Sequence, residues 1–399
     1  MSSEQTIVDA IADAARAKEP VLVQGNGTKA GMLRPVQAAR TLSTASLSGI
    51  TLYAPKELII SAWAGTPLPE IEAALAEAGQ HLIAEPPDLS GLLGGVGQAE
   101  APPQTLGGVV AANLSGPRRV AWGAMRDHVM GVRAVTGRAE IIRSGGRVLK
   151  NVTGLDLCKL LTGSHGTLGV ITEVTLKVLP APEAAATLVL PGLDPAAGVA
   201  ALSAALGSPF GVSGAAWLPP EATRHVEALP AGVSATLIRI EDFAESVTYR
   251  IARLKEQMAV AGAAILDTDS TRRVWRAVRD AAPLAPSPDA AVWRVSVRPS
   301  AGPAVLAAAQ KADISGFLDW GGGLVWLSGP ATTDAHQAVE AAAVAAGGTW
   351  TLIRAPDTMR LTVQVIPPEP PALGRIAREV KAAMDPAGIL NPGRLYAGL

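Results

Sequence analysis

The sequence predicts an α+β protein of two domains, and three observations support this. A chain of 399 residues, 48% of them hydrophobic, is long enough to fill two cores. In the first 180 residues or so, three glycine-rich turns each adjoin an apolar, β-branched run, as expected where strands end in bends. From about residue 184, strand-like runs alternate with helical segments, which indicates an antiparallel sheet with helices on one face. We therefore expect a first domain over 1–182, completed by 383–399, and a second over 183–382.

The elements of the first domain follow from periodicity and turn residues. Residues 6–18 repeat as a helix with Ile7, Ile11 and Ala14 on one face. A second helix is expected over Pro67–Ala78, ended by Gly79. Strands are predicted at VLVQ (21–24), ELIISAWAG (57–65), VRAVT (132–136), AEIIRS (139–144), RVLKN (147–151) and VITEVTLKVL (170–179), with a Gly145-Gly146 hairpin before RVLKN and a loop over 98–105.

The second domain has seven strand-like runs between helical segments. The strands are expected at 214–219, 235–243, 263–268, 291–299, 316–320, 324–328 and 349–355, and the helices at 195–206, 220–228, 244–261, 271–281, 303–312 and 333–346. Most of the eight tryptophans lie here, and we interpret them as core and interface anchors. The tail MDPAGILNPGRLY (384–396) is expected to pack back on the first domain.

Charge and composition exclude several classes of protein. The formal net charge is −1 and the Lys and Arg residues are scattered, which argues against nucleic acid or an anionic membrane as a partner. The single cysteine, Cys158, excludes an intrachain disulfide and suits a reducing compartment. The N-terminus lacks the basic head and apolar core of a signal peptide, and no apolar run reaches a membrane-spanning length. We expect a cytoplasmic protein; attachment to the inner face of the membrane through partner subunits is left open.

Two of the glycine turns have the composition of a phosphate site. Gly25 and Gly27 permit a positive φ and close ligand approach, while Asn26, Thr28 and Lys29 add donors; a simple Asn-Gly hairpin turn explains this segment equally well. Thr105, Gly107 and Gly108 precede a short helix of small residues, whose first N–H groups would suit an anion. Neither turn matches the dinucleotide fingerprint or the P-loop.

The order of these motifs identifies a family resemblance. The segments are QGNGTK (24–29), LYAPKELIISAWAGTPLPEIEAALAEAGQ (52–80), TLGGVVAANLSGPRRVAWGAMRDHVMGV (105–132), KNVTGLDLCKL (150–160) and GSHGTLGVITEVTLKVLP (163–180). Together they resemble the FAD domain of the vanillyl-alcohol-oxidase (PCMH-type) family, and within it most of all the E subunits of bacterial glycolate oxidase. The resemblance covers about 180 residues and returns at 384–396. It implies an FAD domain of two α/β subdomains followed by an antiparallel-sheet α+β cap.

The resemblance also implies where FAD would bind. It gives the turns with Gly25, Asn26, Gly27, Thr28, Lys29, Thr105, Gly107 and Gly108 to the pyrophosphate, and adds Asn113, Ser115 and Gly116 at the end of the second turn's helix. It places Gly123, Arg126 and Asp127 beside the flavin, and Gly169 and Ile171 near the adenosine half. Many relatives attach FAD through a histidine in the first loop, which here reads QGNGTK. We therefore expect FAD to be bound non-covalently, and we interpret Cys158 as a small buried hydrophobe.

The chain departs from the pattern of related 2-hydroxy-acid dehydrogenases. Their cap has an H-x-G-x-G-x-x-H turn and a later G-E-H-G segment, whose histidines hold a metal and supply a base. Here the first pair of positions holds Asp319 and Trp326, and the later segment is GGTWTLIRAPD. No metal is therefore expected. The remaining catalytic candidates are weak: Arg354 for a carboxylate, although such an arginine is more often a structural residue, and Asp319, which is too acidic as a base at its ordinary pKa.

Three functions remain open. The resemblance favours an FAD-bearing subunit of a glycolate-oxidising complex, with the hydroxy-acid site on a sister FAD subunit and electrons passed on by an iron–sulfur subunit. A self-sufficient FAD dehydrogenase for an alcohol or 2-hydroxy acid, with an unidentified base, is the alternative. A structural protein that has lost its flavin is the third option, disfavoured by the intact glycine turns.

Overall fold

The computed structural model describes residues 4–93, 102–146 and 155–398. The predicted strand over 147–151 and the start of the loop over 98–105 lie outside these residues. The first half of the chain contains α1 (Glu4–Ala17), β1 (Val21–Gln24), β2 (Arg40–Ser43), β3 (Ile50–Ala54), β4 (Ile59–Trp63), α2 (Leu68–Glu77), β5 (Gln80–Leu82), α3 (Ser90–Leu93), α4 (Leu106–Ala111), α5 (Arg119–Trp122), α6 (Met125–His128), β6 (Val129–Val135), β7 (Ile141–Gly145), α7 (Leu157–Leu161) and β8 (Val170–Pro180).

These elements form two sheets. β1 and β2 pair in parallel, and α1 packs on them with Ile7, Ile11 and Ala14 buried, the face that the helical period predicts. The second sheet is antiparallel in the order β3-β4-β8-β6-β7, and β5 pairs with the end of β8. Its central strand β8 is the long strand expected from VITEVTLKVL, and Pro180 is its last residue.

The second half of the chain contributes one large sheet and its helices. They are β9 (Ala184–Pro191), α8 (Pro195–Leu206), β10 (Val212–Leu218), α9 (Pro220–Thr223), β11 (Ala235–Asp242), α10 (Ala244–Met258), β12 (Ala264–Leu266), α11 (Thr268–Arg279), β13 (Ala291–Ser296), α12 (Gly302–Gln310), β14 (Ser315–Asp319), β15 (Leu324–Gly329), α13 (Thr333–Ala345), β16 (Thr349–Arg354), α14 (Asp357–Thr362) and α15 (Pro371–Met384). The sheet is antiparallel throughout, in the order β12-β9-β11-β10-β14-β15-β13-β16. The α+β class and the antiparallel cap are therefore confirmed.

The expectation that all helices cover one face of this sheet is wrong. Trp217 and Thr236 are paired across β10 and β11, and both lie against Gly198 of α8. Arg239 points to the opposite face, where its guanidinium stacks on Trp275 of α11. Helix α11 therefore lies on the face that meets the first domain, whereas α8 covers the outer face. Strand β9 and helices α14 and α15 have no counterpart among the predicted elements, and the helix expected over 220–228 ends at Thr223.

Two ion pairs join the halves of the molecule. The Arg239 guanidinium of the cap donates to both carboxylate oxygens of Glu85, at 2.8 and 2.9 Å. In the second pair the arginine belongs to the first domain: Arg118 donates to the two carboxylate oxygens of Glu241 of the cap, at 2.7 and 3.1 Å. Burial opposes ionisation of Glu241, but Arg239 and Arg118 hold its pKa well below the usual range. This buried network fixes the cap sheet against the first domain.

The C-terminal segment returns to the first domain. Val21 donates its N–H to Ile389 O at 2.8 Å, and Asn391 donates its N–H to Val21 O at 3.0 Å. Ile389 and Leu390 are buried in the cluster formed with α1. In the described ranges, no helix is long and apolar enough to cross a membrane.

Candidate functional site

A cleft opens where β1 ends, and it contains most of the predicted cofactor residues. Its volume is about 380 Å³, within the range usual for small-molecule sites. The walls include the turn Gly25–Lys29, the turn with Thr105, Gly107 and Gly108, and the start of β8 with Gly169 and Ile171. The C-terminal segment closes one side with Asn391 and Arg394. Three turns that are distant in sequence therefore meet around one cavity.

The first turn offers a row of free donors. Within the described ranges, the backbone N–H groups of Asn26, Gly27, Thr28 and Lys29 have no protein acceptor. Gly27 has a φ of 74°, a left-handed conformation that glycine adopts without strain. Free backbone N–H groups at such turns can bind an anion.

Two arginines from the C-terminal part of the chain bind carbonyl groups at the end of this turn and just after it, and the sequence did not indicate either contact. Arg394 donates to Lys29 O at 2.7 Å and to Arg34 O at 3.0 Å. Arg360 of α14 donates to Leu33 O at 3.0 Å and to Met32 O at 3.3 Å. Both arginines also line the cleft. The partners are more than 320 residues apart, so no local pattern could reveal the contact.

Lys29 brings a buried positive charge to the cleft. Its Nζ donates to Gln104 Oε1 at 3.0 Å and to Thr28 Oγ1 at 3.4 Å, both uncharged acceptors. Burial lowers the pKa of Lys29 to about 8, against an opposing effect of Asp88. A lysine without a carboxylate partner at the base of a donor-rich cleft suits a phosphate ligand.

The second turn differs from the expectation. The first N–H groups of α4 are already bonded: Leu106 to Thr66 O, Gly107 to Ala64 O, and Gly108 to Thr105 Oγ1 at 3.4 Å. The expectation that this helix presents free N–H groups is therefore wrong, because α4 is hydrogen-bonded to the segment after β4. Only the long Gly108 contact leaves room for a second acceptor.

A side chain would meet different obstacles at each glycine of the first two turns. A Cβ on Gly107 would lie 2.7 Å from the Cβ of Ala64, so this glycine permits close packing on the segment after β4. A Cβ on Gly108 would point towards Lys29 Nζ, at 3.9 Å, and so into the cleft. A Cβ on Gly25 would lie 2.2 Å from Thr105 Oγ1, which shows how closely the two turns approach.

His165, which lies outside the first turn in sequence, is also part of the cleft wall. Burial and the charges of Arg394 and Lys29 lower its pKa to about 3, so the imidazole is neutral. Its carbonyl accepts from Asn391 Nδ2 at 2.8 Å, and the same amide bonds both backbone groups of Val23. The Asn391 side chain therefore joins the segment between α7 and β8, at His165, to β1.

Six predicted cofactor residues do not line the cleft. In the segment between α4 and β6, Asn113 Oδ1 accepts from Arg126 N at 3.1 Å, Ser115 Oγ accepts from Met125 N at 2.8 Å, and Asp127 Oδ2 accepts from Ala124 N at 2.8 Å. These side chains hold their own segment in shape. The remaining members are Gly116, whose carbonyl accepts from Trp320 of the cap at 3.1 Å, Gly123, whose φ is 86°, and Arg126, whose side chain is exposed.

Neither catalytic candidate is free to react in the cleft. The Arg354 guanidinium donates to three backbone carbonyls, Ala290, Leu92 and Ser287, and is therefore a structural residue. Asp319 is buried, and its Oδ1 accepts from Trp320 N at 2.7 Å. Burial raises the pKa of Asp319 to about 7, well above the ordinary value on which the sequence-based argument relied. It remains on the cap sheet and is not part of the cleft wall.

Two other expectations concern metal and cysteine. Among the described residues, no group of three or more His, Cys, Asp or Glu side chains could hold a metal ion. Cys158 is buried, its thiol donates to Ser144 O at 3.3 Å, and burial raises its pKa. It is therefore the small buried residue that the sequence indicates.

Comparison with known proteins supports a flavoprotein. A family model described as an FAD-binding domain matches residues 1–145. The chain is 35% identical over 395 residues to the glycolate oxidase subunit GlcE of Escherichia coli (strain K12), covering 99% of this chain and 98% of that protein. The fold is similar to 4-ethylphenol oxidase from Gulosibacter chungangensis, with a TM-score of 0.72 at 13% identity over 99% of this chain and 88% of the other. Alkyldihydroxyacetonephosphate synthase matches with a TM-score of 0.67 at 18% identity, over 98% and 74% of the two chains.

We predict that the substitution Asp319→Asn changes the pH dependence of stability. Raising a carboxyl pKa from its ordinary value of 3.8 to about 7 means that the folded protein binds the proton more tightly than the unfolded chain. The wild type should therefore lose stability relative to Asp319→Asn as the pH rises from about 4 to about 7, by roughly 4 kcal/mol at most. Urea denaturation across this range measures the difference. Asp269→Asn, on the exposed surface of α11, is the control and should show no such trend. A difference between Asp319→Asn and wild type that is constant with pH would contradict the burial argument.

Proposed function

Because the chain belongs to the family of the glycolate oxidase subunit GlcE, we propose that it is the FAD-bearing subunit of a glycolate-oxidising complex. The resemblance to that subunit covers nearly all of both chains. The first 145 residues match an FAD-binding domain, and the cleft described above lies mainly between turns of this region. In this proposal, the complex oxidises glycolate to glyoxylate while this chain holds FAD for electron transfer or assembly.

The observation that supports FAD binding best is the polarity of the first turn. Asn26 to Lys29 present unpartnered N–H groups, and Lys29 adds a charge with only neutral partners. We propose that these groups bind the pyrophosphate, and that Gly169 and Ile171 contact the adenosine half. Bound FAD would supply two-electron redox chemistry. The chain's own groups would orient it: Arg394 by holding Lys29 O, Arg360 by holding the segment just after the turn, and Asn391 by fixing β1.

We propose that FAD is bound without a covalent link. The turn Gly25–Lys29 contains no histidine. Cys158 is buried with a raised pKa, which disfavours the thiolate needed for attachment. His165 does line the cleft, so the mode of attachment calls for direct measurement.

The hydroxy-acid site is proposed to lie on a sister FAD subunit. Oxidation of a hydroxy acid needs a group that removes a proton beside the flavin. Asp319 and Trp326, at the positions where related dehydrogenases have histidines, are buried in the cap sheet and do not reach the cleft. Electrons would pass to an iron–sulfur subunit, since the single cysteine of this chain cannot hold such a cluster. We propose that the assembly works in the cytoplasm, at or near the inner face of the membrane.

One observation favours the alternative of a self-sufficient dehydrogenase. Burial gives Asp319 a pKa of about 7, which is the range of an effective general base. The carboxyl group would have to become accessible to substrate, although Trp320 N now occupies one of its oxygens. Reduction of the flavin by glycolate in the isolated chain distinguishes the two functions.

We predict that Lys29→Met weakens flavin binding at least tenfold. The substitution keeps an apolar side chain of similar length but removes the charge that would face the phosphates, and charge-assisted hydrogen bonds typically contribute about 1.5–3 kcal/mol. Flavin content of the purified protein is measured from its visible absorbance, and affinity by titration with added FAD. Lys56→Met, at an exposed position, is the matched control and should keep full flavin. Equal FAD affinity in Lys29→Met and wild type would contradict the proposal that Lys29 binds the pyrophosphate.

A second prediction concerns the attachment. Denaturing the purified protein with acid or heat should release all flavin into the supernatant, because no side chain of the first turn can bond to it covalently. Colour that stays with the precipitated polypeptide would contradict this. In that case His165→Ala would show whether the histidine in the cleft is the attachment point.

A third prediction separates the relay function from the self-sufficient enzyme. The isolated chain, mixed with excess glycolate without oxygen, should keep its oxidised-flavin band for minutes, because a missing general base alone costs about 10²–10⁴-fold in rate. Adding the companion subunits should give rapid bleaching. Bleaching by the isolated chain within seconds would instead establish it as a dehydrogenase, and loss of that activity in Asp319→Asn would identify the base.

A further inference from the structure

Lys381 of α15 connects three parts of the chain through its ammonium group. Its Nζ donates to Asp385 Oδ2 at 2.7 Å, to Thr167 O at 2.7 Å and to Leu390 O at 3.0 Å. An ammonium group has three N–H donors, so all of them are used. One side chain therefore joins the end of α15, the C-terminal segment and the segment between α7 and β8.

Asp385 is the counter-ion of Lys381, and it is buried. Besides the ammonium group, its carboxylate accepts the backbone N–H groups of Ile389 at 3.2 Å and of Leu390 at 2.8 Å. A buried carboxylate is costly unless a cation and hydrogen bonds compensate it, and Asp385 has both. The pair is therefore part of the interior of the first domain, unlike the exposed ion pairs of the helix surfaces.

Helix α15 is held mainly by such polar contacts. Gly374 is its one buried residue, so the helix is not anchored by an apolar face as most surface helices are. At its C-terminal end, Met384 O accepts from Gly137 N at 2.9 Å, and the Lys381 contacts lie one turn before. The Lys381–Asp385 pair therefore fixes the end of α15 relative to the segment before β8.

The segment that Lys381 holds forms part of the cleft wall. Gly166, just before Thr167, lines the cleft, and so does Gly169, two residues after it. The N–H and the hydroxyl group of Thr167 both donate to Ser164 O, at 3.0 and 2.7 Å, which closes a tight turn. Because the turn is short and bonded to itself, a shift of Thr167 O would displace its neighbours in the wall as well.

We propose that the Lys381–Asp385 pair positions this part of the wall for the adenosine half of FAD, and so sets the preference for FAD over flavin mononucleotide (FMN). The inference rests on the proposed function, in which Gly169 contacts the adenosine half. Neither Lys381 nor Asp385 lines the cleft, so both act through Thr167 and are positioning residues. FMN has the flavin and one phosphate but no adenosine, so its binding does not depend on this part of the wall.

The experiment titrates FAD and FMN separately into the purified full chain freed of flavin, and follows flavin fluorescence. Lys381→Met should weaken FAD binding about tenfold, the effect expected when one charge-assisted contact that fixes the site is lost, and leave FMN binding unchanged. Lys159→Met is the matched control: Lys159 pairs with Asp156 on the exposed surface at 3.3 Å, so its loss should change neither affinity. Because Lys381→Met leaves a buried carboxylate unpaired, the double variant Lys381→Met/Asp385→Asn is tested beside it and should show the same selective loss.

Three outcomes would overturn the proposal. The first is an FAD affinity of the folded double variant equal to that of the wild type. The second is an equal loss of FAD and FMN binding, because the pair would then support the whole cleft and not the adenosine part. The third is a loss of FAD binding in Lys159→Met as large as in Lys381→Met. A wild type that binds no FAD would count against the proposed function itself, whereas normal FAD binding in the wild type and in both Lys381 variants would count against this positioning role alone.

Discussion

The first glycine turn depends on a single constraint, which is the return of the C-terminal segment to β1. Asn391 bonds both backbone groups of Val23 and the carbonyl of His165, so one side chain joins β1, which leads into the first turn, to the segment before β8. Arg394 binds Lys29 O at the end of the first turn, and Arg360 binds Leu33 O just after it. The wall of the cleft is therefore built by residues from both ends of the chain.

The junction between the two domains uses arginines in two different ways. At one place Arg239 and Arg118 are fully paired with Glu85 and Glu241, and the pairs cross the junction in opposite senses. Removing one member would leave a buried charge, so this network restricts movement of the cap more than it adds net stability. At the other place Arg119 and Arg294 both stack on the ring of Trp320, and neither forms an ion pair with a carboxylate among the described residues.

Local sequence patterns predicted most elements and part of the site. The face of α1, the long strand β8 and the strands of the cap follow from periodicity, because burial on one face dictates which positions are apolar. Strand β9 was missed since its residues, rich in alanine between prolines, resemble a linker, and α15 was missed because it buries only Gly374. The donors of the first turn were identified from Gly25 to Lys29 themselves. The contacts of Arg360 and Arg394 could not be predicted, because their partners are distant in sequence. The raised pKa of Asp319 could not be predicted either, because it is set by tertiary burial.

Related dehydrogenases have histidines at two positions of the cap where this chain has Asp319 and Trp326. These two residues have structural contacts of their own. Trp326 is in contact with Arg294 through its ring, at 5.4 Å from the guanidinium carbon, so it belongs to a cation–aromatic group that a histidine pair holding a metal could not form. Asp319 fixes the backbone of Trp320, whose ring completes the same group. The two substituted positions thus cooperate in one arrangement of arginine and indole.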